Sequence, residues 1–219
     1  MEEELCQKIF LAYPQAVNLL EDYKGRSLYH YCQEISEQER GKVKLSPYFK
    51  EAIKNTVGED EFQKLTAYFS KSSICNTSDH HQILGFAEFI NTNLLNGLIA
   101  TMQQAPCTVT FSFSSIPLNS SSFSRGFFYN QKRFSLFPDK MKRCVVYTAP
   151  CFKREKIAGF PEEIQEVFNS VENLFNLPSF SQQIRAVNKY LWDNLRETAP
   201  FLPPLIYLPI EEVVKEIII

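Results

Sequence analysis

Residues 107–115 read CTVTFSFSS. Val109, Phe111 and Phe113 fall at every second position, with Thr108, Thr110, Ser112 and Ser114 between them. A period of two belongs to a β-strand, whose successive side chains point to opposite faces. This is the clearest strand in the chain, and it decides the fold class, because the sequence upstream of it has a helical period. Upstream, Leu5, Ile9 and Ala12 or Tyr13 recur at three-to-four spacing, followed by Ala16, Leu19 and Leu20. Pro14 starts a new segment there, since proline suits a first helical turn and breaks an interior. Ser46 and Pro47 make a capped helix start, and Gly58 separates two helices within residues 45–69. A further helix is expected from about Phe86 to Met102, with Phe89, Ile90, Leu94, Leu98 and Met102 on its apolar side.

Downstream of the strand, a Ser-rich stretch (residues 117–126, PLNSSSFSRG) leads to FFYNQKRFSLF, which predicts a hairpin turning near Asn130–Lys132. RCVVYTAPCF, residues 143–152, suggests another strand. Pro161, Glu162 and Glu163 open a helix with the stripe Ile164, Val167, Phe168, Val171, Leu174 and Phe175. Ser179 or Ser181 caps the next, with Ile184, Val187, Leu191 and Leu195. A short strand around IYL and a final helix, PIEEVVKEIII, complete the chain. The expectation is an α+β fold: a helical N-terminal half, a central antiparallel or mixed sheet, and C-terminal helices. Residues 1–72 form the helical region, 73–208 the α+β core with its hairpin, and 209–219 the start of a helix, and together they are expected to make one compact unit. That helix ends on three isoleucines without a polar cap, which suggests a fragment or a surface completed by a partner.

With 219 residues, 44% hydrophobic and 22% charged, the chain is long enough for a sizeable core and unlike a disordered one. The acidic start MEEEL is unlike a secretory or transit leader. The most apolar helix-length stretch, 83–102, holds Glu88 and three asparagines, which argues against a membrane span. Six scattered cysteines then read as reduced thiols, and the expected location is cytoplasmic.

Seven isolated glycines leave no G-x-G-x-x-G and no P-loop, so no nucleotide-cofactor motif is present. The chain holds three histidines, and two are adjacent in NTSDHHQ, residues 76–82. The Asp79–His80–His81 triplet resembles the signature of the DHH phosphoesterases over those three residues. That family sets the triplet after an apolar strand and further acidic metal motifs. Here the polar SSICNTS precedes it, so the family is not assigned and the segment reads as a loop capped by Ser78 or Asp79. Adjacent side chains share no face, so a metal at His80 and His81 would require loop geometry. Asp79, His80 and His81 are instead the candidate catalytic groups, with the carboxylate orienting an imidazole.

Asn93 and Asn96 lie in the otherwise apolar helix that follows, where buried amides must find partners. Gly97 shares a face with Asn93 and leaves room for a ligand. Arg125, beside the Ser-rich loop, has the geometry to grip a carboxylate or phosphate. Asn93, Asn96 and Arg125 are the candidate ligand-binding residues. Residues 125–156 carry nine Lys/Arg against Asp139 and Glu155, a net +7 in a chain of net −2, so the remainder carries −9. Three readings follow. The first is an enzyme for a small polar or anionic metabolite, using the Asp79–His81 loop and the asparagine-bearing helix. The second is a nucleic-acid-binding sheet, with Phe127, Phe128, Tyr129, Phe134, Phe137 and Tyr147 interleaved among the cations. The third is an interaction or regulatory part of a longer chain.

Overall fold

A computed structural model describes residues 7–8, 10–38, 44–71, 76–79, 83, 87–119 and 124–218, with residues 15–16, 19–20, 76–79 and 87–89 given by their backbone. Leu5, Ile9, His80, His81 and the tip of the Ser-rich stretch lie outside the described residues. The chain divides into two compact units, residues 1–39 and 40–219.

The first unit holds α1 (Pro14–Tyr23) and α2 (Leu28–Glu37). Ser27 caps α2 by accepting a hydrogen bond from the His30 amide. Tyr23 and Tyr31 meet edge to face at 5.2 Å, and Arg26 pairs with Glu34 at 2.6 Å.

The second unit begins with α3 (Pro47–Val57) and α4 (Glu59–Lys71). Ser46 accepts from the Phe49 amide at 3.2 Å, with Pro47 in the first turn. Gly58 ends α3 at φ +87°, a conformation that costs a residue with a Cβ, and donates to the Lys54 carbonyl at 2.8 Å. β1 (Asn76–Asp79), α5 (Ala87–Met102) and β2 (Thr108–Ser112) follow, then the hairpin β3 (Gly126–Tyr129) and β4 (Lys132–Ser135). Next come α6 (Glu162–Ser170), α7 (Phe180–Thr198), β5 (Leu205–Pro209) and α8 (Ile210–Ile218). The fold is α+β.

β1, β2 and β5 form a parallel sheet in that order, while β3 and β4 pair antiparallel. The hairpin turns on Asn130 and Gln131, both at positive φ, the pair of conformations that a tight two-residue turn requires. The stretch NTSD, expected to be loop, is strand β1, with Asn76 opposite Thr110 and Asp79 opposite Ser112. Its four polar residues carry no alternation of their own, so it pairs through its backbone on the edge of β2. The strand expected in residues 143–152 is instead a 3-10 turn, Val146–Thr148, flanked by the isolated bridges Pro117–Val145 and Pro150–Ser179. Pro150 cannot donate to a ladder, which limits pairing there. The apolar stripe 164–175 also spans more than one element: α6 ends at Ser170, and Asn173 enters the left-handed region before a 3-10 turn. Asparagine tolerates that conformation better than most residues.

The period of two in β2 separates two buried faces. Val109 packs with Ile206 and Leu208 of β5, against Ala52 and Ile53 of α3 and Leu65, Tyr68 and Phe69 of α4. Thr108 and Thr110 stand beside Leu205 and Tyr207 on the opposite face, where Trp192 of α7 and Leu94 of α5 pack. Thr108, Thr110, Ser112 and Ser114 are all fully buried, so the polar row of the alternation meets protein rather than solvent. A second core joins the hairpin to α6 and α7 through Phe127, Phe137, Phe152, Phe168 and Phe180. Gln183, also fully buried, stitches this core. Its amide donates to the Phe152 and Leu174 carbonyls and accepts from the Phe152 amide. On α8, Val213 is buried, whereas Ile217 and Ile218 are 45% and 78% exposed. Among the described residues no helix is long and apolar enough to cross a membrane.

Candidate functional site

The three parallel strands end side by side. β1 stops at Asp79, opposite Ser112 of β2, and Ser112 lies opposite Pro209 of β5. Past those ends the chain places two carboxylates. Glu211, in the first turn of α8, accepts from the Ser114 amide at 3.0 Å through each oxygen, from Ser114 Oγ at 2.7 Å and from the Ser115 amide at 2.6 Å. Burial pushes its carboxyl pKa up, but the bonds from Ser114 and Ser115 outweigh that and hold it below the ordinary glutamate value. Glu212 accepts from Ser181 Oγ at 2.7 Å and lies 3.6 Å from Arg185 Nη1, which also donates to the Thr56 carbonyl at 3.0 Å. Both acids sit at the positive end of the α8 dipole, where negative charge is favoured.

A cleft of about 430 Å³ opens beside Glu212, lined by Asn55, Thr56, Tyr147, Ser179 and Lys215 among others. Tyr147 is fixed there because its amide donates to the Ser114 carbonyl, two residues beyond the end of β2. Ser179 arrives as the cap of α7. Helix α3 contributes Asn55, which donates to Glu216 at 3.2 Å. The lining carries two carboxylates, one ammonium and several amides and hydroxyls, a mixture suited to a ligand with both donors and acceptors. Neither the protein-family models nor the known proteins and solved structures compared with it match the chain.

The sequence-derived candidates separate in space. Asp79 ends β1 at this edge of the sheet, and His80 and His81 lie outside the described residues. Asn93 is 8% exposed and accepts from Thr110 Oγ1 at 2.5 Å, two residues short of the end of β2. Asn96 is equally buried and lies farther along α5, which runs back from the end of β1 to the start of β2. Its Nδ2 has no hydrogen-bond partner among the described residues, and neither has Thr108 Oγ1. Gly97 leaves no open space for a ligand. A Cβ there would stand 3.1 Å from Leu202 and 3.3 Å from Trp192, so the gap admits core side chains instead. Arg125 belongs to the hairpin region, where its guanidinium pairs with Asp139 and its amide donates to the Leu118 carbonyl.

Among the described residues no group of three or more His, Cys, Asp or Glu could hold a metal ion. Sequence reasoning missed Glu211, Glu212, Ser114 and Arg185. The available signal was IEE immediately after the IYLP strand, which reads as an ordinary acidic helix start until the neighbouring strand ends are known.

Proposed function

We propose that this chain is an enzyme for a small polar metabolite, which seats beyond the carboxyl ends of the parallel strands. Asp79 and the two histidines after it supply the acid–base groups. The observation that carries this reading is the place of Asp79. It is the last residue of a strand in a parallel sheet, in register with Ser112 and two strands from Glu211 and Glu212. Open parallel sheets bind ligands in the crevice just outside those ends, where loops present side chains from several strands. The 430 Å³ cleft falls within the size range of small-molecule sites, and its mixed lining favours a zwitterionic or hydroxyl-rich ligand over a strongly charged one. The nucleic-acid reading is less well supported, because Phe127 and Phe137 are buried in the second core and cannot stack on bases.

The test is a thermal-shift screen of the purified chain against amino acids, polyols, sugars and their carboxylated and phosphorylated forms. A ligand present at about 100 times its Kd raises Tm by roughly 5–10 °C for a chain of this size. Glu212→Gln should reduce that shift, and replacing His80 and His81 together by alanine should abolish turnover while leaving a shift. A ligand that stabilises all the variants equally, or turnover that survives loss of both histidines, would count against the proposal.

A further inference from the structure

Away from the strand ends, residues 136–141 and 150–156 wall a groove of about 490 Å³. Its lining is mainly apolar: Leu136, Phe137 and Phe152 are buried, and Met141 and Cys151 are half-buried. Its rim is cationic. Lys153 and Lys156 line it and are exposed, Lys140 and Lys142 flank Met141 in the chain, and Glu155 is the one acid among the lining residues. Among the described residues none of these four lysines has an ion-pair partner, and Asp139, the other acid of the segment, is held by Arg125. The fold thus gathers positive charge around apolar surface and leaves the charge unanswered.

We infer that this groove docks an acidic protein segment carrying one large apolar side chain. The apolar side chain packs on Met141, Pro138 and Pro150, above the buried Phe137 and Phe152, while carboxylates on either side of it meet Lys153, Lys156 and their neighbours. An interface of this form has an apolar anchor in a pocket and a charged rim that steers approach. A nucleic acid would answer the lysines, but its bases stack on exposed aromatic faces, and Phe137 and Phe152 are buried.

The groove carries its own reporter, because Cys151 lines it and Cys144, also half-buried, is not among its lining residues. The probe is a fluorescent synthetic peptide of glutamates flanking a single phenylalanine. The comparisons are the same peptide with alanine for phenylalanine, a single-stranded oligonucleotide, and phosphatidylserine vesicles. The glutamate–phenylalanine peptide should bind in low salt and slow alkylation of Cys151 relative to Cys144. The alanine peptide should bind several-fold more weakly. The exposed pair Lys153→Glu and Lys156→Glu should weaken binding about tenfold or more with an unchanged circular dichroism spectrum. The inference is overturned by failure to saturate below about 1 mM, or by affinity indifferent to the phenylalanine or to the two lysines. It is also overturned if oligonucleotide or vesicles protect Cys151 as well as the peptide does, or if the protection comes from self-association of the chain.

Discussion

Replacing Glu211 by alanine should loosen the end of β2 from the start of α8, and the size of the effect follows from its partners. The carboxylate accepts from the buried Ser114 amide and hydroxyl and from the exposed Ser115 amide. A hydrogen bond to a charged group contributes roughly 1.5–3 kcal/mol, and an abandoned buried donor costs about 1–3 kcal/mol. The Ser115 amide can turn to water, so only the two Ser114 groups count in full, and the expected loss is about 2–4 kcal/mol at about pH 7. Glutamine keeps one acceptor oxygen and should lose about half as much. The effect has a definite pH sign. The folded-state pKa of Glu211 is depressed. Its contribution is therefore complete above the unfolded value of about 4.3 and is lost as pH falls through the lower folded value. Urea unfolding followed by circular dichroism, on wild type and Glu211→Ala from neutral pH downward, measures this. The gap between the two stability curves should narrow toward the acid end. A cost below about 0.5 kcal/mol at about pH 7, or a gap that does not narrow on acidification, would refute the argument.

Three further outcomes are expected. Gln183→Leu strands the Phe152 amide and two backbone carbonyls in a closed core, so urea unfolding should register a loss of about 3–5 kcal/mol, against well under 1 kcal/mol for an exposed helical glutamine such as Gln63. Gly97→Leu must displace Trp192 and Leu202, and should cost about 1–3 kcal/mol by the same assay despite leucine's better helix propensity. The Cys107 thiol is buried, which pushes its pKa up to about 12; mass spectrometry after iodoacetamide treatment should find it unlabelled in the folded chain and labelled once denaturant is added, while Cys151 reacts in both.

Elements with a local signature were legible in the sequence. Ser46–Pro47, Gly58 and Ser179 mark helix ends by backbone chemistry that needs no distant partner, and each does so in the fold. The hairpin is similar: Asn130–Gln131 closes it and its two strands are neighbours in sequence. Strand β1 had no such mark. NTSD is a strand because β2 offers it a backbone edge, and β2 lies some thirty residues later. The direction of the main sheet is hidden for the same reason, since parallel pairing is a property of the long connections between strands.

The asparagines of α5 illustrate how one such gap shapes a functional reading. Seen alone, a polar side chain in an apolar helix calls for a ligand. Once β2 is known to be covered on both faces, its Thr and Ser row becomes a buried set of donors that needs acceptors within the protein: Ser112 finds the Leu208 carbonyl and Ser114 finds Glu211. Asn93 meets that need at Thr110, one helical turn before Asn96. Thr110 of CTVTFSFSS and Asn93 of FINTNLLNG are therefore two halves of one internal contact. Past the strand ends, where the backbone ladder stops, a different set of polar groups gathers. Asp79, Ser114, Glu211 and Glu212 collect there from positions 79 to 212. No spacing rule within the sequence could have grouped them, because only strand order and register bring them to one edge.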